Sequence, residues 1–261
     1  MTPGDRSPNG EARPGVLETR GGWPYPRWIA HRGAGLLAPE NTIAAFRAGA
    51  ANGFRMFECD ARLSADGEVF LLHDDLLERT TDGHGAAVEF DWAALSRLDA
   101  GSWHGPGYAG ERLPTLAGVI QECEAHGWML NVEIKPAPGD EERTGRRVGE
   151  VLRAQWRSAP SPLLSSFSLP ALAAAASAAP GVPRALLCER LVPGWRSCAA
   201  RLGCVAIVAA QAVWNEETAK VVAEAGFRRL AYTVNTDAEA ARLAALGLEG
   251  LITDRVDHFP G

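Results

Sequence analysis

The amino-acid sequence predicts an α/β protein of the (β/α)8, or TIM-barrel, architecture, with a β-hairpin and a loop insertion after the second strand. Three observations predict it. From residue 128 onward, short apolar runs alternate with helical patterns without interruption, the rhythm of parallel strands joined by crossover helices. Counting Trp28, Phe57, Leu130, Leu164, Leu186, Ile207, Tyr232 and Ile252 as strand centres gives eight strands, the number that closes such a barrel. The first strand runs into His31-Arg32-Gly33, not into the Gly-x-Gly-x-x-Gly loop that usually opens the competing doubly wound sheet.

Composition sets the bounds. The chain has 261 residues, 46% hydrophobic and 22% charged, the balance of a globular protein able to bury a large core. A net charge of −6 argues against nucleic acid as the main partner, since phosphate backbones demand basic patches. The five cysteines form no Cys-x-x-Cys and sit mostly in apolar runs, as buried thiols of a reducing compartment do. No apolar run approaches the roughly 20 residues of a membrane span. Residues 1–24, polar and rich in Gly and Pro, read as a disordered tail without the apolar middle of a signal peptide, ahead of a single domain over 25–261. The cytoplasm is the expected location.

The elements follow in order. A first strand over Arg27–Ala30 is followed by a helix that starts near Pro39, with Asn41 or Thr42 as its cap and Ile43, Phe46 and Ala50 on one face. Asn52-Gly53 ends it. The second strand, Arg55–Leu63, alternates, so Glu58, Asp60 and Arg62 share a side opposite Phe57, Cys59 and Ala61. Ser64-Ala65-Asp66-Gly67 turns the chain into Val69–Leu72. A turn centred between Asp66 and Gly67 sets Asp60 opposite His73. Loops and a short helix then lead to a helix over Leu116–His126, after which the regular alternation begins.

Functional side chains of such barrels gather at the C-terminal strand ends. Those ends carry His31 and Arg32, Glu58 and Asp60, Asn131, Glu133 and Lys135, with His73 on the return arm and Ser166, Gln211, Asn235 and Asp254 on later strands. Three inward carboxylates, Glu58, Asp60 and Glu133, repel one another and resist desolvation, so they require a counter-charge. A hard divalent cation, Mg2+ or Ca2+, supplies it through oxygen ligands. The alternative is a structural ion-pair network with Arg62 and Lys135. His31 and His73 beside these carboxylates suit general acid–base work, with zinc ligation as the rival use. His84, His104, His126 and His258 read as solvated. Trp103, Tyr108 and Trp214 are aromatic candidates for the mouth, where a ring can hold a cation; surface or core packing accounts for each equally well.

The stretch from His31 to Asp82 resembles the glycerophosphodiester phosphodiesterase family. The resemblance is carried by His31-Arg32-Gly33, Pro39-Glu40-Asn41-Thr42, Glu58-Cys59-Asp60, His73-Asp74 and Arg79-Thr80-Thr81-Asp82-Gly83. It continues through Glu133-Ile134-Lys135, Ser165-Ser166-Phe167, Tyr232-Thr233-Val234-Asn235 and Ile252-Thr253-Asp254, in order. The chain is most similar to the short bacterial cytoplasmic members. Tyr232 stands where the family often has Trp, and Gly35–Ala38 is a variable stretch. The resemblance implies a TIM barrel that hydrolyses glycerophosphodiesters, small-molecule substrates, to sn-glycerol 3-phosphate and an alcohol. It implies a divalent metal on Glu58, Asp60 and Glu133, His31 and His73 as the acid–base pair, and Arg32 and Lys135 at the phosphate. Two alternatives are a phospholipase-type lyase releasing a cyclic phosphate, and a non-catalytic glycerophosphodiester-binding protein, which would lack one of these groups.

Overall fold

The structure, a computed structural model, describes residues 22–261. Eight parallel strands form the sheet in the order β1 (Trp28–Ala30), β9 (Gly250–Thr253), β8 (Arg228–Tyr232), β7 (Cys204–Ala210), β6 (Arg184–Cys188), β5 (Leu163–Ser166), β4 (Met129–Ile134) and β2 (Met56–Leu63). Pairing of Ala30 with Phe57 joins β1 to β2 and closes the barrel. Strand β3 (Val69–Leu71) lies antiparallel on β2 outside the closed ring. The helices α1 (Ile43–Ala51), α2 (Trp92–Leu95), α3 (Leu116–His126), α4 (Glu141–Gln155), α5 (Leu169–Ala178), α6 (Trp195–Arg201), α7 (Glu216–Glu224) and α8 (Asp237–Ala245) occupy the connections.

Local chemistry starts the helices where the sequence punctuates them. Thr42, Thr115, Ser168, Asn215 and Thr236 each accept a backbone N–H of the first turn, which satisfies donors the helix leaves unpaired. Of the two candidate caps of α1, Thr42 takes the role and Asn41 turns away into the barrel. The buried face of α1 is Ala45, Phe46 and Gly49, with Ile43 and Ala50 only half-buried.

Period-two alternation sorts each strand between two cores. Phe57, Cys59 and Ala61 of β2, with Leu130, Val132 and Ile134 of β4, face the helices. There Phe57 meets the rings of Phe46 and Trp128 at 5.5 and 5.2 Å. The barrel interior is a separate cluster that includes Ile29, Met56, Leu163, Ala185, Val208, Leu230 and Ile252. Trp23 and Tyr25 belong to that cluster and pack edge to face, and the Tyr25 hydroxyl donates to Ser161 O just ahead of β5. They plug the N-terminal end of the barrel. The tail expected over residues 1–24 lies mostly outside the described residues, and Trp23 within it is buried.

The hairpin register differs from the sequence expectation by one residue. Ala61 pairs with Leu71 and Leu63 with Val69, and Leu72 N–H donates to Asp60 O. The loop is three residues, Ala65-Asp66-Gly67, with Gly67 at φ 93. A three-residue loop with glycine in the left-handed region centres the turn on Asp66, which moves His73 one place past Asp60. Of the two uses the sequence left open for Trp214, core or mouth, the structure takes the first: it is 1% exposed and its Nε1 donates to Leu230 O.

Replacing Trp23 with Ala should lower unfolding free energy by about 3 kcal/mol, the usual loss for a large buried aromatic. Chemical denaturation measures it, and an unchanged midpoint would show that the plug contributes nothing.

Candidate active site

The parallel register of β2 and β4 builds the acidic centre. Asp60 pairs with Glu133 and Glu58 with Asn131, so residues remote in sequence become neighbours on the inward face. Glu58, Asp60 and Glu133 each bring a carboxylate oxygen within 4.8 Å of the others. Glu58 and Asp60 are buried and Glu133 nearly so. Burial, then the Asp60 charge, pushes Glu58 up to about 8 and Glu133 up to about 7. Burial also acts on Asp60, but the cations of Arg32 and Lys135 overcome it and hold that carboxyl below its ordinary value.

The donor set fits a hard cation. It is all carboxylate, and Glu58 Oε1 is buried without a hydrogen-bond partner among the described residues. A buried carboxyl oxygen without a partner costs free energy that a divalent ion would recover. The ion-pair alternative is met only in part. Lys135 Nζ lies 3.0 Å from Glu133 Oε1 and 3.7 Å from Asp60 Oδ1. Arg62 does not join: its guanidinium grips the carbonyls of Leu72 and His73 and the carboxylate of Asp75.

His31, His73, Arg32 and Lys135 gather around these three carboxylates. His31 Nε2 is 3.8 Å from Glu58 Oε2, while its Nδ1 is 2.6 Å from Asp254 Oδ1. Burial would lower the imidazole, but Asp254 and Glu58 outweigh it and the net direction is upward. Across the cluster, His73 Nδ1 is 2.7 Å from Asp74 Oδ1, and its Nε2 is 3.0 Å from Lys135 Nζ. Burial carries His73 downward, with Arg32 and Lys135 adding to it. Arg32 has φ 50, a left-handed backbone unusual outside glycine. That conformation sets its N–H on Glu58 Oε2 at 3.0 Å, and its guanidinium reaches Glu40 at 2.8 Å and Asp60 at 3.4 Å.

Several supporting residues carried weak sequence signals. Asn41, at φ 59, donates to Asp60 Oδ2 and accepts the Asp60 N–H, fixing that carboxylate twice. Asn235 holds Asp254 in the same two-sided way. Gly35 passes so close to Asp254 that a Cβ there would sit 2.1 Å from its carbonyl oxygen, so only glycine admits this approach. Ser166 instead bonds Ile134 O, and Gln211 accepts from Arg242; neither joins the centre. His84, His126 and His258 are exposed, and His104 is half-buried, bonding Leu36 O between the rings of Trp103 and Tyr108.

The sequence model of the glycerophosphoryl diester phosphodiesterase family matches residues 31–258. The chain belongs to that family. It is 33% identical to YhdW of Bacillus subtilis, provisionally named a glycerophosphodiester phosphodiesterase, over 88% of this chain and 95% of that one. It is 31% identical to the glycerophosphodiester phosphodiesterase of Caldanaerobacter subterraneus subsp. tengcongensis, over 87% of this chain and 93% of the other. An Oleispira antarctica phosphodiesterase, solved in complex with the product sn-glycerol-3-phosphate, superposes with a TM-score of 0.84 at 36% identity. That match covers 88% of this chain and 93% of the other. These likenesses place the chain among the glycerophosphodiester phosphodiesterases and agree with the barrel. Among the described residues no helix is long and apolar enough to cross a membrane.

The raised glutamates make stability depend on pH. Their folded values, about 8 and about 7, exceed the ordinary 4.5, so the folded state holds protons that the unfolded chain releases. Stability of the metal-free protein therefore falls as pH rises between about 4.5 and about 8. His31, raised, acts in the same sense, and His73, lowered, opposes it. In a chelator, Tm should fall across this range, Glu58→Gln should flatten the slope, and Mg2+ or Ca2+ should raise Tm most at the alkaline end. A pH-independent Tm in chelator would contradict the assignment.

Proposed function

We propose that this phosphodiesterase hydrolyses glycerophosphodiesters to sn-glycerol 3-phosphate and an alcohol. A divalent cation held by Glu58, Asp60 and Glu133 assists, and His31 and His73 transfer the protons. One observation carries the reading: two imidazoles, each with Nδ1 fixed by an aspartate, flank one buried cluster of three carboxylates, His31 with Nε2 on Glu58 and His73 with Nε2 on Lys135, which itself contacts Glu133 and Asp60. The product complex of the Oleispira antarctica relative supports the substrate class.

The residues take up the reaction as follows. Arg32 and Lys135 meet the phosphodiester anion, and the planar fork of Arg32 suits two phosphoryl oxygens. When bound, the cation stabilises the charge that builds on those oxygens. Asp254 and Asp74 accept from Nδ1–H, which leaves each Nε2 free to exchange a proton with the substrate. One imidazole takes the proton of the attacking oxygen and the other returns a proton to the departing alcohol. Lys135 Nζ, in contact with His73 Nε2, is displaced from that nitrogen as the substrate arrives.

Release of sn-glycerol 3-phosphate from glycerophosphocholine, followed with and without Mg2+ or Ca2+, tests the proposal. His31→Ala and His73→Ala should each cost about 100-fold or more in kcat, the usual worth of general acid–base groups. Glu133→Ala should abolish the response to the cation. Full activity in either histidine variant, or a cyclic phosphate as the final product, would sink the mechanism.

A further inference from the structure

We propose that Arg79, outside the acidic centre and touching no reacting atom, is a positioning residue. It clasps the loops that carry the phosphate-binding Arg32 and the proton-transferring His73. The proposal rests on the roles given above to those two residues.

The geometry is a continuous chain of charge-assisted bonds across the mouth. Arg32 Nη1 donates to Glu40 Oε1 at 2.8 Å. Arg79 approaches the same carboxylate from the other side, Nη1 to Oε2 at 2.7 Å and Nη2 to Oε1 at 2.8 Å. The opposite edge of the Arg79 fork meets Asp74, Nε to Oδ2 at 2.5 Å and Nη2 to Oδ1 at 3.0 Å. Asp74 Oδ1 in turn is 2.7 Å from His73 Nδ1. One guanidinium therefore makes paired contacts with two carboxylates, and each carboxylate holds one functional side chain.

The connectivity gives this clasp its purpose. Glu40 lies between β1 and α1, and Asp74 follows β3. The three-residue hairpin loop sets where β3 runs, but His73 and Asp74 lie beyond its last ladder pair. The backbone at His73 is held by Arg62, and its ring by Asp74. The backbone is tied to the β1–α1 loop as far as Leu72, through Asp60 and Asn41; beyond it, the Arg79 fork ties Asp74, which holds the His73 ring, to Glu40. Glu40 sits between two guanidiniums, and Asp74 between a guanidinium and an imidazole. Without Arg79 each carboxylate loses its outer partner and is free to follow its inner one. A planar, five-donor fork meets two carboxylates in this way; a lysine ammonium, a point donor, does not.

Steady-state kinetics with glycerophosphocholine and saturating divalent cation test the clasp. Arg79→Ala and Arg79→Lys should each reduce kcat/KM about 10- to 100-fold, the range for loss of an orienting partner. The loss should divide between a higher KM, through Arg32, and a lower kcat, through His73. Added guanidinium ion should restore part of the activity of Arg79→Ala and none of that of His73→Ala. Combining Arg79→Ala with Asp74→Asn should cost less than the product of the single losses, since both break one chain. Arg79→Ala with kcat and KM within twofold of wild type overturns the proposal. So does a loss that guanidinium leaves unchanged and that tracks only a lowered Tm. An active His73→Ala overturns the reading of the site instead, which separates the two failures.

Discussion

Three carboxylates brought into the mouth of a barrel set the terms for everything around them. Glu58, Asp60 and Glu133 lie within one small volume, where water is scarce and like charges oppose one another. The protein answers unequally. Asp60 receives Arg32, Lys135 and the two bonds of Asn41, and stays ionised. Glu58 and Glu133 are left short of partners and drift toward protonation. One carboxylate held ionised beside two that resist charging is a donor set that could hold a divalent cation, and the family places the chain among the glycerophosphodiester phosphodiesterases.

The same charge problem explains the arrangement one step further out. Each imidazole at the centre is backed by an aspartate, and each aspartate by a second partner: Asn235 for Asp254, Arg79 for Asp74. These outer groups hold Nδ1 of each ring, so that Nε2 of His31 faces Glu58 and Nε2 of His73 faces Lys135. They sit on loops after β3, β8 and β9, while the carboxylates sit on β2 and β4. The strands carry the three carboxylates, and the loops carry the two imidazoles with the groups that bond them. Below this layer Trp23, Tyr25 and the aliphatic interior cluster fill the barrel, so the polar mouth rests on a dry floor.

Much of this was legible in the linear chain, for identifiable reasons. Alternation along Met56–Leu63 sends Glu58 and Asp60 to one side because successive strand residues point oppositely. The motif around His73-Asp74 marks a second functional loop. Asn41 was legible as a cap candidate and as part of the Pro39-Glu40-Asn41-Thr42 motif, but its turn toward Asp60 depends on β2 lying alongside. Arg62 shares a strand face with Glu58 and Asp60, yet the β3 return covers it and claims its guanidinium for backbone carbonyls. Trp214 carried no sign of its depth, because only the packing of β7, β8 and their helices shows that its ring is enclosed.

By itself the sequence determined the closed α/β architecture and the family, and it singled out the seven residues that the structure brings to one end of the barrel. Periodicity, glycine and proline punctuation and ordered motifs are local properties that a chain carries wherever it goes. Tertiary structure alone decided who touches whom. The one-residue shift of the hairpin follows from a three-residue loop with Gly67 in the left-handed region. The pairing of Asp60 with Glu133, of His31 with Asp254, and the span of Arg79 from Glu40 to Asp74 all join residues from different parts of the ring. Barrel closure and strand register set those distances, and neither is written in any single stretch of the chain.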